Sequence, residues 1–459
     1  MNSTDISFFF NPRSIALVGA SPKPSSLSYT ILESLEKIGF EGKIYPINPR
    51  YEEIGGLKCY ASLADINDTI DIAVLSVPAP GVIEVMKEEF ENVRGAVVVS
   101  SGFKEIKGEG EKLEAELKRL AEAKGIRVIG PNCLGIYDTV SKVDTFFISR
   151  ERARRPGRGG LSILTQSGSF ASMIVDEIAS EGIGVARIVS YGNKVDVDEA
   201  DCLEFLAEDE ATKYVVLYVE SVEDGKRFLE VASRCAQKKP VVAVKVGKKD
   251  TGVRATASHT GAAASRYEAY EAAFRKAGII EVDGYEELKD ACRVLNSYTP
   301  GRGDRILVIT NGGGIGIGIV DACESRGLSV PQLSEEQKAQ LSSKLPSFAS
   351  VGNPIDITGN GWDEHYAVAL REGFGEEYDI AIVAVLWGPP LLNEGIIDKL
   401  KAVADECGKP VLICSPGGNF TRKMSEEFEK KGLPVFATPE SAARAAAILS
   451  GGKKQNARE

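Results

Sequence analysis

The chain has 459 residues, 43% of them hydrophobic and 26% charged, an ordinary globular composition that excludes disordered and fibrous classes. Its 55 Lys and Arg against 66 Asp and Glu leave a formal charge of −11, which argues against nucleic acid or an anionic membrane as a general partner, although a local basic loop can still hold phosphate. At about 150 residues per domain, three domains are expected.

The start, MNSTDISFFFNPRS, has no basic leader and a short aromatic run, so it does not read as a secretory signal. The longest apolar stretch, near 380–387, is too short to span a bilayer. The chain reads as cytoplasmic.

A first buried strand, SIALV at 14–18, runs into the turn GASPKPSS and then a helix. A tight turn onto a helix N-terminus presents N–H groups and a positive dipole end, which suits a nucleotide phosphate at Gly19, Ala20 and Ser21. The turn is not GxGxxG. The second strand, KIYPI, ends in Asn48-Pro49-Arg50, where NAD proteins carry an acid for the ribose. Arg50 and Lys43 suit an extra phosphate, that of NADP or of the coenzyme A ribose. Later strands end in SVPAP (76–80, with Val77, Pro78 and Ala79), VVSSGF (98–103) and IGPNCLG (129–135). Ligands of open α/β sheets sit at such carboxyl ends. Ser100, Ser101 and Asn132 can hydrogen-bond an amide-rich arm such as pantetheine.

The same opening recurs as LSILTQSGSFA from 161 and RILVITNGGGIG from 305. Short buried strands alternating with helical patterns mean parallel sheets. The expected fold is α/β, with three doubly wound parallel-sheet domains (Rossmann-like and flavodoxin-like) at 1–148, 149–300 and 301–459. Breaker-rich linkers lie at 150–160 and 298–304. Copies two and three run parallel further on: YVVLYVE matches DIAIVAVL, and KPVVAVKVG matches KPVLICSPG.

Copy two carries an extra small-residue loop at 248–266, KKDTGVRATASHTGAAASR, with His259 at its centre. Long loops in compact domains tend to be functional. No second His or Cys stands near enough in sequence for a metal site, and the eight cysteines are scattered without CxxC. TQSGSFA lacks the GxSxG form of a hydrolase elbow. A nucleophilic histidine that accepts a phosphoryl group remains. It needs a carboxylate, which Glu220 supplies at the end of YVVLYVE, and a phosphate cradle, which Ser167, Gly168 and Ser169 supply at a helix start. Copy three has Leu386 or Trp387 in place of Glu220 and no histidine, so acid and base disappear together. The other histidine, His365, follows an acidic turn and reads as a solvated surface residue. In copy three, Asn311, Gly312, Gly313 and Gly314 form a second anion cradle, and the turn GNPIDITG at 352–359 adds the carboxylate of Asp356.

Taken in order, VGAS, SVPAP, SGF, IGPNCLG, LTQSGS, YVE, ASHTGA, TNGGG and GNPIDITG resemble the NDP-forming acyl-CoA synthetases, in particular the α subunits of the archaeal ADP-forming acetyl-CoA synthetases, relatives of succinyl-CoA synthetase. The resemblance covers nearly the whole chain. It implies that domain 1 binds coenzyme A and that His259 is phosphorylated with support from Glu220. It also implies that the serine turn, Gly261 and the glycine turn bind phosphate at two facing helix starts. The implied reaction is acetyl-CoA + ADP + phosphate to acetate + ATP + CoA, through acetyl phosphate and phosphohistidine. ADP, ATP and Mg²⁺ then belong mainly to a separate ATP-grasp β subunit, in an α₂β₂ assembly. Alternatives are a relative acting on aryl, branched or dicarboxylic acids, a non-catalytic CoA-sensing subunit, and an NADP oxidoreductase.

Overall fold

A computed structural model describes residues 5–88, 90–252 and 266–451. The chain divides into two compact units, Met1–Gly284 and Tyr285–Glu459. Among the described residues the first unit holds two large sheets and a two-stranded one at 53–58, and the second unit holds one large sheet, giving the three expected α/β folds. No helix among the described residues is long and apolar enough to cross a membrane.

The first sheet is parallel throughout. Its strands lie in the order Lys43–Ile47, Ser14–Val18, Ile70–Leu75, Val93–Val98, Arg127–Ile129. The second runs Ile280–Val282, Val241–Lys245, Tyr214–Val219, Arg158–Thr165, Val185–Ser190 in parallel. The antiparallel pair Gly135–Asp138 and Val143–Asp144 extends its edge. The third places Ile306–Thr310 between Ile355–Asp356 and Ile380–Ala384, followed by Val411–Cys414 and Val435–Phe436. Each sheet therefore has its opening strand beside both the second and the third, which creates a switch point at the carboxyl end of the opening strand. The central strands are β-branched runs buried along their whole length, as helices on both faces of a parallel sheet require.

Two features of the first unit lie outside the repeat pattern. The aromatic run near the start is buried: Phe9 and Phe10 are fully covered, Phe10 stacks on Phe205 at 4.2 Å, and the Arg94 guanidinium lies 4.6 Å over Phe8. The loop after Ser190 hooks onto the last strand of the first sheet. Its Asn193, Val195 and Val197 amides donate to the carbonyls of Pro131, Gly130 and Val128. Arg127 adds ion pairs to Asp196 at 2.9 Å and Asp201 at 3.0 Å. These contacts lock the two sheets into one unit. The break between units falls at 284–285, ahead of the 298–304 stretch. The physical reason is helix Gly284–Ser297, whose Asp290 is bridged at 2.7 Å to Arg444 on helix Pro439–Leu449.

Candidate functional site

At the first switch point the backbone turns sharply after Val18. Gly19 has φ +82°, and a Cβ there would stand 2.7 Å from Ser76 O and 2.8 Å from Val77 Cγ1, so only glycine fits between the two strand ends. The Gly19 and Ala20 amides donate to Ile47 O, and Asn48 Nδ2 donates to Ala20 O at 2.8 Å. Asn48 thus braces the turn with its own amide. The helix Leu27–Ile38 that follows is capped by Ser26, which accepts from Tyr29 N–H. Ser21, Val77, Pro78 and Arg50 line this edge with partial or full exposure, while Ala20 and Ala79 are buried beneath it. The Ser100 hydroxyl donates to Val77 O at 2.5 Å and is a brace, whereas Ser101 is exposed.

Lys43 is not at this edge. It is the first residue of Lys43–Ile47, so strand direction places it about 13 Å away at the amino edge. There its ammonium pairs with Asp68 at 2.7 Å. The expectation that Lys43 and Arg50 share one phosphate is corrected on that ground.

At the second switch point Ser167 caps helix Gly168–Ser180 by accepting from Phe170 N–H at 3.2 Å, and its hydroxyl meets that of Ser169 at 3.0 Å. The Gly168 and Ser169 amides have no intrahelical acceptor, since they belong to the first turn. Thr165 Oγ1 accepts from Ser167 N–H and donates to Ser167 O, which sets the turn. Gln166 links this turn to the next strand: its Oε1 accepts from the Glu220 and Ser221 amides at 2.7 and 2.8 Å. The serine turn opens into a cavity of about 380 Å³ lined by Val99, Asn132, Cys133, Phe147, Gln166 and Ser172 among others. One cavity therefore joins Asn132 at the end of the first sheet to Ser167–Ser169 at the second. The Cys133 thiol is pushed up to about 12 by burial, so it is not a thiolate nucleophile. Glu220 is 9% exposed, and its charge raises the neighbouring Tyr218 hydroxyl further after burial, to about 12.

The third switch point repeats this construction. Thr310 Oγ1 accepts from Gly312 N–H and donates to Gly312 O, both at 2.9 Å. Asn311 links Leu386 by accepting from its amide at 3.0 Å and donating to its carbonyl at 2.9 Å. Helix Gly313–Glu324 starts at Gly312, with Gly313 and Gly314 in its first turn and no side-chain cap. Asp356 Oδ2 lies 3.0 Å from where a Gly313 Cβ would be, so a carboxylate flanks this cradle. The strand register puts Leu386 where the second sheet has Glu220.

His259 and Gly261 lie outside the described residues. The strand that leads to them, Val241–Lys245, is in place beside Tyr214–Val219, which Glu220 follows. His365 is not a solvated histidine: it is 7% exposed, its ring lies 4.2 Å from that of Trp362, and burial lowers its pKa. The sequence showed the acidic turn but not the Trp362 ring that covers the imidazole. No group of three or more His, Cys, Asp or Glu able to hold a metal occurs among the described residues.

Residues 13–139 match the CoA binding domain family, 158–295 the succinyl-CoA ligase like flavodoxin domain, and 306–459 the ligase-CoA domain. The chain is 37% identical to the α subunit of acetate–CoA ligase [ADP-forming] II from Pyrococcus furiosus, over 97% of each chain. It is equally 37% identical to acetate–CoA ligase [ADP-forming] I of Archaeoglobus fulgidus, but spans only 64% of that longer protein. Among solved structures it superposes on the dinucleotide forming acetyl-coenzyme A synthetase 1 of Ca. Korarchaeum cryptofilum, in complex with phosphate and ADP, with a TM-score of 0.91 at 34% identity. That match covers 98% of this chain and 97% of the other.

Proposed function

This chain belongs to the family of ADP-forming acetate–CoA ligases, in the form of their α subunits, and we propose that it is the CoA-binding, phosphohistidine-forming subunit of such an enzyme. The reaction is acetyl-CoA + ADP + phosphate to acetate + ATP + CoA. The observation that carries this reading is the continuous cavity between Asn132 and the serine turn, because the first step needs a thioester carbonyl and a phosphate in one space.

Coenzyme A suits the first edge. Its pyrophosphate would take the Gly19–Ser21 turn and the following helix start, its ribose phosphate Arg50, and its pantetheine arm the surface of Val77, Pro78 and Ser101 leading to Asn132. Phosphate would sit on the Gly168 and Ser169 amides, where first-turn N–H groups and the dipole favour an anion. A phosphate oxygen attacks the acetyl carbonyl, the C–S bond breaks, and the thiolate leaves and takes up a proton. A His259 nitrogen then attacks phosphorus, the P–O bond breaks, and acetate leaves. Finally a β-phosphate oxygen of ADP attacks phosphorus and the P–N bond breaks, forming ATP. On this reading the segment around His259, rich in Gly and Ala by sequence, would carry the phosphoryl group between the two partners. Gly312–Gly314 and Asn311 form the second anion cradle for the phosphoryl group. Mg²⁺ would offset charge on the transferring phosphate, held with the nucleotide by an ATP-grasp β subunit in an α₂β₂ assembly.

The test is direct. This chain alone, with acetyl-CoA and labelled phosphate, is expected to become an acid-labile phosphoprotein and to make no ATP; adding the partner subunit and ADP should discharge the label into ATP. An unlabelled chain, or ATP made by the chain alone, would sink the proposal. Arg50→Ala is expected to weaken CoA binding, by about 1 kcal/mol or more for a lost charged contact, and to leave dephospho-CoA binding unaltered. Lys43→Ala should change neither, as read by calorimetric titration with both ligands.

A further inference from the structure

The three residues 220–222 leave the sheet at its carboxyl edge and carry the Glu220 carboxylate. Side chains, not ladder bonds, hold their backbone. Gln166 Oε1 accepts from the Glu220 and Ser221 amides. Lys245 Nζ donates to Glu220 O at 2.9 Å and also to Val246 O. Lys194 Nζ donates to Ser221 O at 2.7 Å. The Tyr270 hydroxyl accepts from Val222 N–H at 3.1 Å, and its ring stands 4.6 Å from the Lys245 ammonium. Both lysines are only 5% exposed.

Two buried ammonium groups on one short segment are costly, and bracing alone does not call for them. The third sheet shows the cheaper solution. There the register puts Ser415 where Lys245 stands, and its hydroxyl donates to Val385 O at 2.8 Å, with Leu386 in place of the acid. Lysine appears where the acid appears. Lys194 has an ion-pair partner of its own, Glu199 at 3.1 Å, whereas Lys245 donates to carbonyls and its charge acts on Glu220.

We propose that Lys245 is a positioning residue for phosphoryl transfer: its buried ammonium holds the Glu220 backbone and so places the Glu220 carboxylate for its action on His259. The inference rests on the functional reading above. Burial brings Lys245 down to about 8, against the opposing pull of Glu220. Among the described residues, the charged and titratable groups around it are Glu220, Lys248, Glu281 and Tyr270, with Lys194 and Glu199 on the far side of the segment. Loss of the Lys245 charge weakens its charge-assisted bonds to Glu220 O and Val246 O, which gives the transfer rate an alkaline limb near pH 8.

The test compares wild type, Lys245→Gln and Lys245→Met, each as the full chain with its partner subunit. Lys245→Gln keeps a hydrogen-bond donor and loses the charge, so it remains informative if Lys245→Met fails to fold. In single-turnover labelling with phosphate and acetyl-CoA, both are expected to lose rate, on the order of a hundredfold for a mispositioned group. The KM for acetyl-CoA should hold within about twofold, since no coenzyme contact is touched, and the alkaline limb should vanish. A Lys245→Gln rate and pH profile equal to wild type would overturn the inference while leaving the functional reading intact. A wild type that takes no label overturns both.

Discussion

Replacing His259 by alanine is expected to abolish both the acid-labile label and net turnover. The chain has only two histidines. His365 lies on helix Asp363–Gly373 with its ring against Trp362, and its Nδ1 accepts from Trp362 N–H at 3.4 Å. A histidine so covered cannot travel between reaction partners. His259 is the other one, and the sequence around it is rich in Gly and Ala. A phosphoryl group on nitrogen is lost in acid, whereas one on serine is not, so acid treatment separates a histidine adduct from one on Ser258, Ser167 or Ser169. The expected outcome for His259→Ala is no label at all and no ATP with the partner present. An acid-labile phosphoprotein in that variant would end the assignment. CoA binding should be retained, because the residues expected to hold it are on the first sheet.

Glu220→Gln is expected to slow phosphohistidine formation by at least about tenfold, toward the range usual for losing a charged acid–base partner. The substitution removes charge and keeps shape. Its backbone hold should survive, because the bonds from Gln166 and Lys245 go to the Glu220 backbone amide and carbonyl. A neutral amide cannot stabilise the positive imidazole ring formed during transfer, nor can it select a tautomer by charge. Rapid-quench labelling with phosphate and acetyl-CoA reads this rate; a wild-type value would remove Glu220 from the mechanism. Coenzyme A affinity, measured separately, should not move.

Both expectations were visible in the chain before any coordinates. The repeated opening of β-branched strand, Gly or Ser turn and helix predicts three parallel sheets, and it places Gly19, Ser167–Ser169 and Gly312–Gly314 at equivalent positions. The loss of Glu220 together with the histidine in copy three also emerges from that alignment, and the strand register gives the same equivalence with Leu386.

Strand identity and turn position are local properties: a buried parallel strand needs consecutive apolar residues, and a sharp turn needs glycine or a capping serine, so both are written in short stretches of sequence. Side-chain partnership is different, because it depends on which distant segments meet. Lys43 looked like a phosphate ligand until strand direction sent it to the far edge and Asp68 claimed it. The phenylalanines at 8–10 read in sequence only as a short aromatic run, whereas packing sets Phe10 on Phe205 and Arg94 over Phe8. Gln166, Lys194, Lys245 and Tyr270 come from four separate segments and meet only around residues 220–222. Periodicity carries the backbone's path, but the convergence of charges on one turn is a long-range fact that only packing creates.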